Sequence, residues 1–254
     1  MGLVAQSLGI LRSLRMYYGD AAQTDRMVRF YSQFIRPGDL CFDVGAHVGS
    51  RVRPWLRLGA SVVAVEPLPS CVRLLRGLYG RSNRVRLVQA ALGPAVGQQR
   101  ILICEREPTV STLSGEWIDR VRRERQNFAN VRWSRSVVVP VVTLDALIDR
   151  YGRPAFCKID TEGYDFEVLR GLSRPLPTLS FEYVPPALDI VERCLERLGE
   201  LGDYEYNWSP GECMRLDRPD WVGAAEIAAH LRPLPPDANP GDVYARLRAG
   251  PAAA

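Results

Sequence analysis

Asp39-Leu-Cys-Phe-Asp43-Val-Gly45-Ala46-His47-Val-Gly49-Ser50 is the stretch on which the fold turns. An apolar run ends on two glycines four residues apart, and a helical stretch follows as far as Leu58. That order predicts a buried strand whose carboxyl end meets the amino end of a helix, where backbone N–H groups face a ligand. The glycines let the backbone pass close to it. The spacing is not Gly-x-Gly-x-x-Gly: a third glycine is missing, and Asp43 stands two residues before Gly45. A carboxylate there repels a pyrophosphate and suits an ammonium group, so the turn favours S-adenosylmethionine over a dinucleotide.

Outward from this turn the pattern repeats. Ser61 to Val65 reads as a second strand ending on Glu66-Pro67, and Glu66 stands where nucleotide-binding sheets place an acid for the ribose hydroxyls. Further strands are predicted at 85–89, 100–104, 136–142, 155–159 and 178–181, with helices between most of them. Thr143-Leu-Asp145 has the form of a capped helix start. The alternation predicts an α/β fold, a mostly parallel sheet with helices on both faces. The expected organisation is an N-terminal helical cap over 1–36, a core over 37–206 and a C-terminal extension over 207–254 packed on the core. Residues 105–136 break the rhythm with seven arginines among acids, plus Trp117, Phe128 and Trp133. A substrate-binding lid and a solvated, charge-laced helix both fit, and the aromatics favour the lid.

Composition removes other classes. Of 254 residues, 46% are hydrophobic and 24% charged, which excludes disordered, collagen-like and coiled-coil chains. Basic residues number 33 against 29 acidic, a dispersed excess of +4 without the coherent stripe that nucleic acid requires. Six cysteines without a C-x-x-C pair fit neither a zinc site nor a disulfide framework, and point to a reducing, cytoplasmic setting. The amphipathic stretch Leu3 to Met16 is too short to span a bilayer and reads as a packing helix. Gln6 stands where a myristoylation signal has Ser or Thr.

The chemistry is expected where strands end. Asp160 and Glu182 close two strands predicted to be neighbours, and Glu162 follows Asp160 by two residues. Such carboxylates serve as a general base, hold Mg²⁺ through Asp160 and Glu182, or orient the donor. His47 is the one histidine near this edge, a base or a hydrogen-bonding group. Lys158, the only lysine, is expected to face away or to pair with a carboxylate. Tyr204, Tyr206 and Trp208 read as a sugar-stacking platform or as core, with core the stronger reading.

Four motifs in order, Asp43-Val-Gly-Ala-His-Val-Gly49, Val65-Glu-Pro67, Val141-Val-Thr-Leu-Asp145 and Lys158-Ile-Asp-Thr-Glu-Gly163, make residues 30 to 185 resemble the FkbM-type class I methyltransferases. The resemblance implies a seven-stranded Rossmann-like sheet, S-adenosylmethionine as donor and O-methylation of a hydroxyl on a sugar or natural-product intermediate. It places Asp43, Gly45 and Gly49 at the methionine end, Glu66 at the ribose and the turn Gln89-Ala90-Ala91 at the adenine. Ala46, His47, Ser50, Pro67 and Asp160 complete the donor set. Two departures stand out: Val52 where a small hydroxyl residue is usual, a contact Ser50 can replace, and Asp165 where Glu is usual. The expected partner is a small-molecule or glycan hydroxyl acceptor, with no nucleic acid and no membrane span; a homodimer is one open assembly. The alternatives are a methyltransferase acting on nucleic acid or protein, and a donor-binding scaffold without catalysis.

Overall fold

The computed structural model describes residues 2–248. Met1 and residues 249–254, the outermost parts of the expected cap and extension, lie outside them. Two helices lead, α1 (Gly2–Tyr18) and α2 (Ala21–Tyr31), the second capped by Asp20, whose carboxylate accepts from the Ala22 N–H at 2.8 Å. Then β1 (Leu40–Val44), α3 (Val52–Arg57), β2 (Ser61–Val65), α4 (Pro69–Tyr79) and β3 (Val85–Val88) alternate as their apolar runs and turns dictate.

Next come β4 (Ala91–Leu92), β5 (Gly97–Ile103), α5 (Gly115–Glu124) and β6 (Arg135–Val142). The second half carries α6 (Leu144–Tyr151), β7 (Phe156–Ile159), α7 (Asp165–Arg170), β8 (Thr178–Tyr183), α8 (Leu188–Leu201), β9 (Tyr204–Pro210), α9 (Ala224–Leu231) and β10 (Gly241–Leu247). Thr143 caps α6 as its sequence suggested, its hydroxyl accepting from the Ala146 N–H at 3.1 Å.

Seven strands form the main sheet in the order β3-β2-β1-β7-β8-β10-β9, parallel except for β10, which runs against both its neighbours. Strand order reverses between β1 and β7, and the carboxyl ends there open the crevice in which such sheets bind ligands. Alternate residues of each strand feed two cores. Phe42, Val44, Cys157 and Ile159 pack under α6 to α9, while Cys41, Val62, Ala64 and Phe156 pack under α2 and α3. On that second face Phe34 stacks on Tyr244 and Phe156 at 5.4 and 5.5 Å.

Two expectations need correction. Residues 91–142 do not extend the main sheet: β4, β5 and β6 form a separate three-stranded sheet, because β5 folds back antiparallel on β6. Nor are residues 207–254 an extension laid on the core. The boundary at 206 cuts β9, and β10 inserts between β8 and β9. Tyr204, Tyr206 and Trp208 are buried in the core rather than offered to a ligand. Within 105–136, Trp117, Ile118 and Val121 face inward, and Trp117, Phe128 and Trp133 form an aromatic cluster. No helix among the described residues is long and apolar enough to cross a membrane.

Candidate active site

The glycine turn is tied to the neighbouring strand before any ligand arrives. The N–H groups of Gly45 and Ala46 both donate to the Val65 carbonyl at 3.0 Å, and the His47 N–H donates to the Glu66 carboxylate at 2.8 Å. Gly45, His47 and Gly49 all have positive φ. At Gly45 glycine is obligatory, since a Cβ would collide with the Asp160 carbonyl, where β1 and β7 converge. Gly49 is packed from behind, by Leu75 and Tyr79 of α4 and by Tyr18 of α1. The Tyr18 hydroxyl lies 2.9 and 2.8 Å from the carbonyls of Val48 and Gly49.

A cleft of about 570 Å³ opens at this reversal of strand order. Gly45, His47, Glu66, Pro67, Ala90 and Asp160 line it, together with Glu162. Of the expected donor set, Asp43, Ala46, Gly49, Ser50 and Gln89 are not in its walls. Gln89 is exposed and its side chain accepts from Arg76 at 3.4 Å, so the Ala90-Ala91 backbone forms that end alone. Walls the motifs did not reveal come from Pro108, Thr109 and Thr112 in the inserted segment, and from Tyr164. Only Tyr164 was signalled, by following Gly163.

Glu66 lines the cleft where β2 ends. Its carboxylate accepts the N–H groups of His47 and Leu68 at 2.8 and 2.7 Å, and a carboxylate retains further lone pairs for two ribose hydroxyls. Burial raises its pKa to about 7, against the pull of those two N–H groups. Asp43 lies behind the turn with one buried oxygen lacking a partner, and burial raises it to about 6 although the Arg51 and Lys158 charges pull it down. Burial lowers His47 to about 4, so the imidazole is neutral at neutral pH; its Nε2 is buried without a partner.

On the other side of Asp160 the sheet carries buried charge. Lys158 lies 2.8 Å from Asp242 and 3.2 Å from Asp160, so it pairs with two carboxylates. Burial pulls its pKa down, but the charges of Asp160 and Asp242 outweigh that and hold it well above the usual lysine value. Arg51, 3% exposed, donates from Nη2 to both carboxylate oxygens of Glu212, each at 2.9 Å. Asp160, Glu162 and Glu182 bring one carboxylate oxygen each within 4.8 Å of the others. Burial, then the neighbouring acids, push Glu162 and Glu182 well above the carboxylate range. An all-oxygen set of this kind suits a hard divalent cation. Glu162 also has positive φ, and its carbonyl accepts from the Thr112 hydroxyl at 2.7 Å.

Several solved structures are similar. They include a putative O-methyltransferase from Klebsiella pneumoniae (12% identity, 94% of this chain and 90% of that one, TM-score 0.47). A precorrin-6Y C5,15-methyltransferase from Geobacter metallireducens also matches (12%, 88% and 87%, 0.45). So does an O-methyltransferase from Bacillus cereus in complex with SAH (13%, 94% and 89%, 0.44). No curated protein gives a significant match. The family model described as the methyltransferase FkbM domain matches residues 43–200, a span running from Asp43 of the glycine turn past Glu182, and the chain belongs to that family of S-adenosylmethionine-dependent methyltransferases.

Proposed function

We propose that the chain methylates a hydroxyl on a small, neutral or basic polyol, a sugar or natural-product intermediate. One observation carries the reading: Asp160 belongs to two clefts at once. On one side is the donor cleft; on the other is a cleft of about 330 Å³ lined by Lys158, Asp160, Glu182, Glu212, Asp242 and the loops at 211 and 240–241. S-adenosylmethionine supplies a methyl group on a sulfonium. The second cleft would hold the acceptor with its oxygen toward Asp160, in line with the methyl group that S-adenosylmethionine would supply from the first cleft. The Asp160 carboxylate, held by Lys158, takes the hydroxyl proton. Glu182 orients the acceptor, and neutral His47 offers its unpaired nitrogen to a hydroxyl on the donor side. Asp160, Glu162 and Glu182 would hold Mg²⁺, which would acidify the hydroxyl.

The second cleft is lined by acids, and its lysine is already paired with Asp160 and Asp242, so among the described residues it offers no free cation to a phosphate; that disfavours phosphorylated and acidic acceptors, and with them nucleic acid. The test is transfer of labelled methyl to a panel of methyl glycosides, their phosphate esters and an oligoribonucleotide, each with Mg²⁺ and with EDTA. Labelling of neutral or amino glycosides, abolished in Asp160→Asn, is the expected result. Preferential labelling of the oligoribonucleotide or the phosphate esters, or S-adenosylhomocysteine binding without transfer to any probe, overturns the reading. Loss of labelling in EDTA assigns the proton step to the metal.

A further inference from the structure

Three polar atoms on three different elements share a predicament. Trp117 Nε1 on α5, Asp165 Oδ1 at the start of α7 and Glu182 Oε2 on β8 are all buried, and none has a hydrogen-bond partner in the protein. Trp117 and Asp165 are each 1% exposed. All three residues line one small cavity beside Gly163, floored by Val184 and Ala187, with room for a single water.

The chemistry of the three atoms defines what fits. An indole N–H only donates, whereas a carboxylate oxygen, or the carbonyl oxygen of a carboxyl that burial keeps protonated, accepts. The complementary occupant accepts one hydrogen bond and donates two, which is a water molecule. A metal ion offers nothing to the indole proton and is repelled by it, and an ammonium ion has no lone pair with which to accept. Cavity size and donor pattern thus agree on one ligand.

We propose that a buried water accepts from Trp117 Nε1, donates to Asp165 Oδ1 and Glu182 Oε2, and so fixes the Glu182 carboxylate from behind through the inserted segment. Trp117 and Asp165 are positioning residues; they act on the acceptor only through Glu182. The same segment grips the neighbouring loop at two other points. Thr112 holds the Glu162 carbonyl, and Gly163 packs so closely on the Trp117 ring that a Cβ would enter it. The water is the third tie, and it alone reaches a carboxylate of the cluster. The positioning role rests on the methyl-transfer reading of the cluster; the water site does not.

The tests separate the two. In a crystal structure of the free protein, an ordered water lies within hydrogen-bonding distance of all three atoms. In solution the Trp117 indole proton shows a rotating-frame Overhauser transfer to a long-lived water. A dry cavity, or an indole donating directly to either carboxylate, overturns the water site. For positioning, Trp117→Phe keeps an aromatic ring and removes the N–H. Its kcat on whichever methyl glycoside the wild type methylates falls about tenfold, while S-adenosylhomocysteine affinity holds within about twofold. Asp165→Asn retains an acceptor oxygen and stays closer to wild type than Asp165→Ala, a pair that serves if Trp117→Phe does not fold. Unchanged kcat in Trp117→Phe, or equal losses in the Asp165 pair, overturns positioning. A wild type that methylates no probe overturns the catalytic reading, while the crystal and Overhauser experiments still decide the water.

Discussion

The two sides of Asp160 are built by different means. The donor side is backbone: a glycine turn hung on the Val65 carbonyl, with one carboxylate, Glu66, held by two N–H groups. The side proposed for the acceptor is side-chain charge gathered from distant segments, Lys158 with Asp242 and Arg51 with Glu212, pairs 84 and 161 residues apart. The first is specified locally; the second exists only once β10 has entered the sheet. A defect on the donor side should therefore act on ligand affinity, and one on the acceptor side on the fold itself.

The sharpest way to break this contrast is Lys158→Ala. It leaves Asp242 buried without its cation, and unfolding by denaturant should show a loss of about 3–5 kcal/mol. A loss under about 1 kcal/mol would mean that the buried charges are not a structural unit. The double variant Lys158→Met with Asp242→Leu should recover most of it, because an apolar pair replaces an ion pair at little cost. Next in size is Gly45→Ala. The added methyl meets the Asp160 carbonyl at a positive φ, so about 2–3 kcal/mol of stability and measurable S-adenosylhomocysteine binding by calorimetry should both be lost.

Glu66 sharpens the donor side through pH. Its pKa is raised from 4.5 to about 7 by burial, so the folded form holds a proton that the unfolded chain releases. Its contribution to stability is complete below about 4.5 and disappears as pH rises through 7. Donor affinity should run the opposite way if ribose hydroxyls donate to the ionised carboxylate, as the proposed donor site requires. Affinity should climb up to tenfold per pH unit below 7 and then level, and Glu66→Gln should flatten both curves. The smallest effect belongs to a surface pair. Arg120 contacts both Glu116 and Asp189, but Glu116 is largely exposed, so Glu116→Ala should shift stability by less than about 0.5 kcal/mol.

The same contrast explains what the sequence reveals. Strands β1, β2, β6 and β7, the Thr143 cap, the Gly45 turn and the three acids at strand ends follow from short-range pattern, and the structure brings Asp160, Glu162 and Glu182 together. Periodicity does not say which sheet a strand joins, so the strands expected at 100–104 and 136–142 carry no sign that they leave the main sheet, and β10 lies beyond a proline-rich stretch that hides it. Lys158 was expected to pair, yet Asp242, Arg51 and Glu212 carry no local mark; their roles come from contacts that no spacing encodes. Gln89 shows the converse limit, since a motif position in register with the adenine turn still points outward.

Lys158 is the only lysine in the chain, and its side chain is 4% exposed. Amine-directed reagents therefore find, beyond the chain's α-amine, one target, and its ammonium is occupied by Asp160 and Asp242 at the wall of the second cleft. The extent of slow acylation at Lys158 under native conditions is then a gauge of how often its pairs with Asp160 and Asp242 part. Saturating S-adenosylhomocysteine should slow that labelling by a factor of one plus the ratio of its concentration to its Kd if parting of those pairs also dismantles the donor cleft.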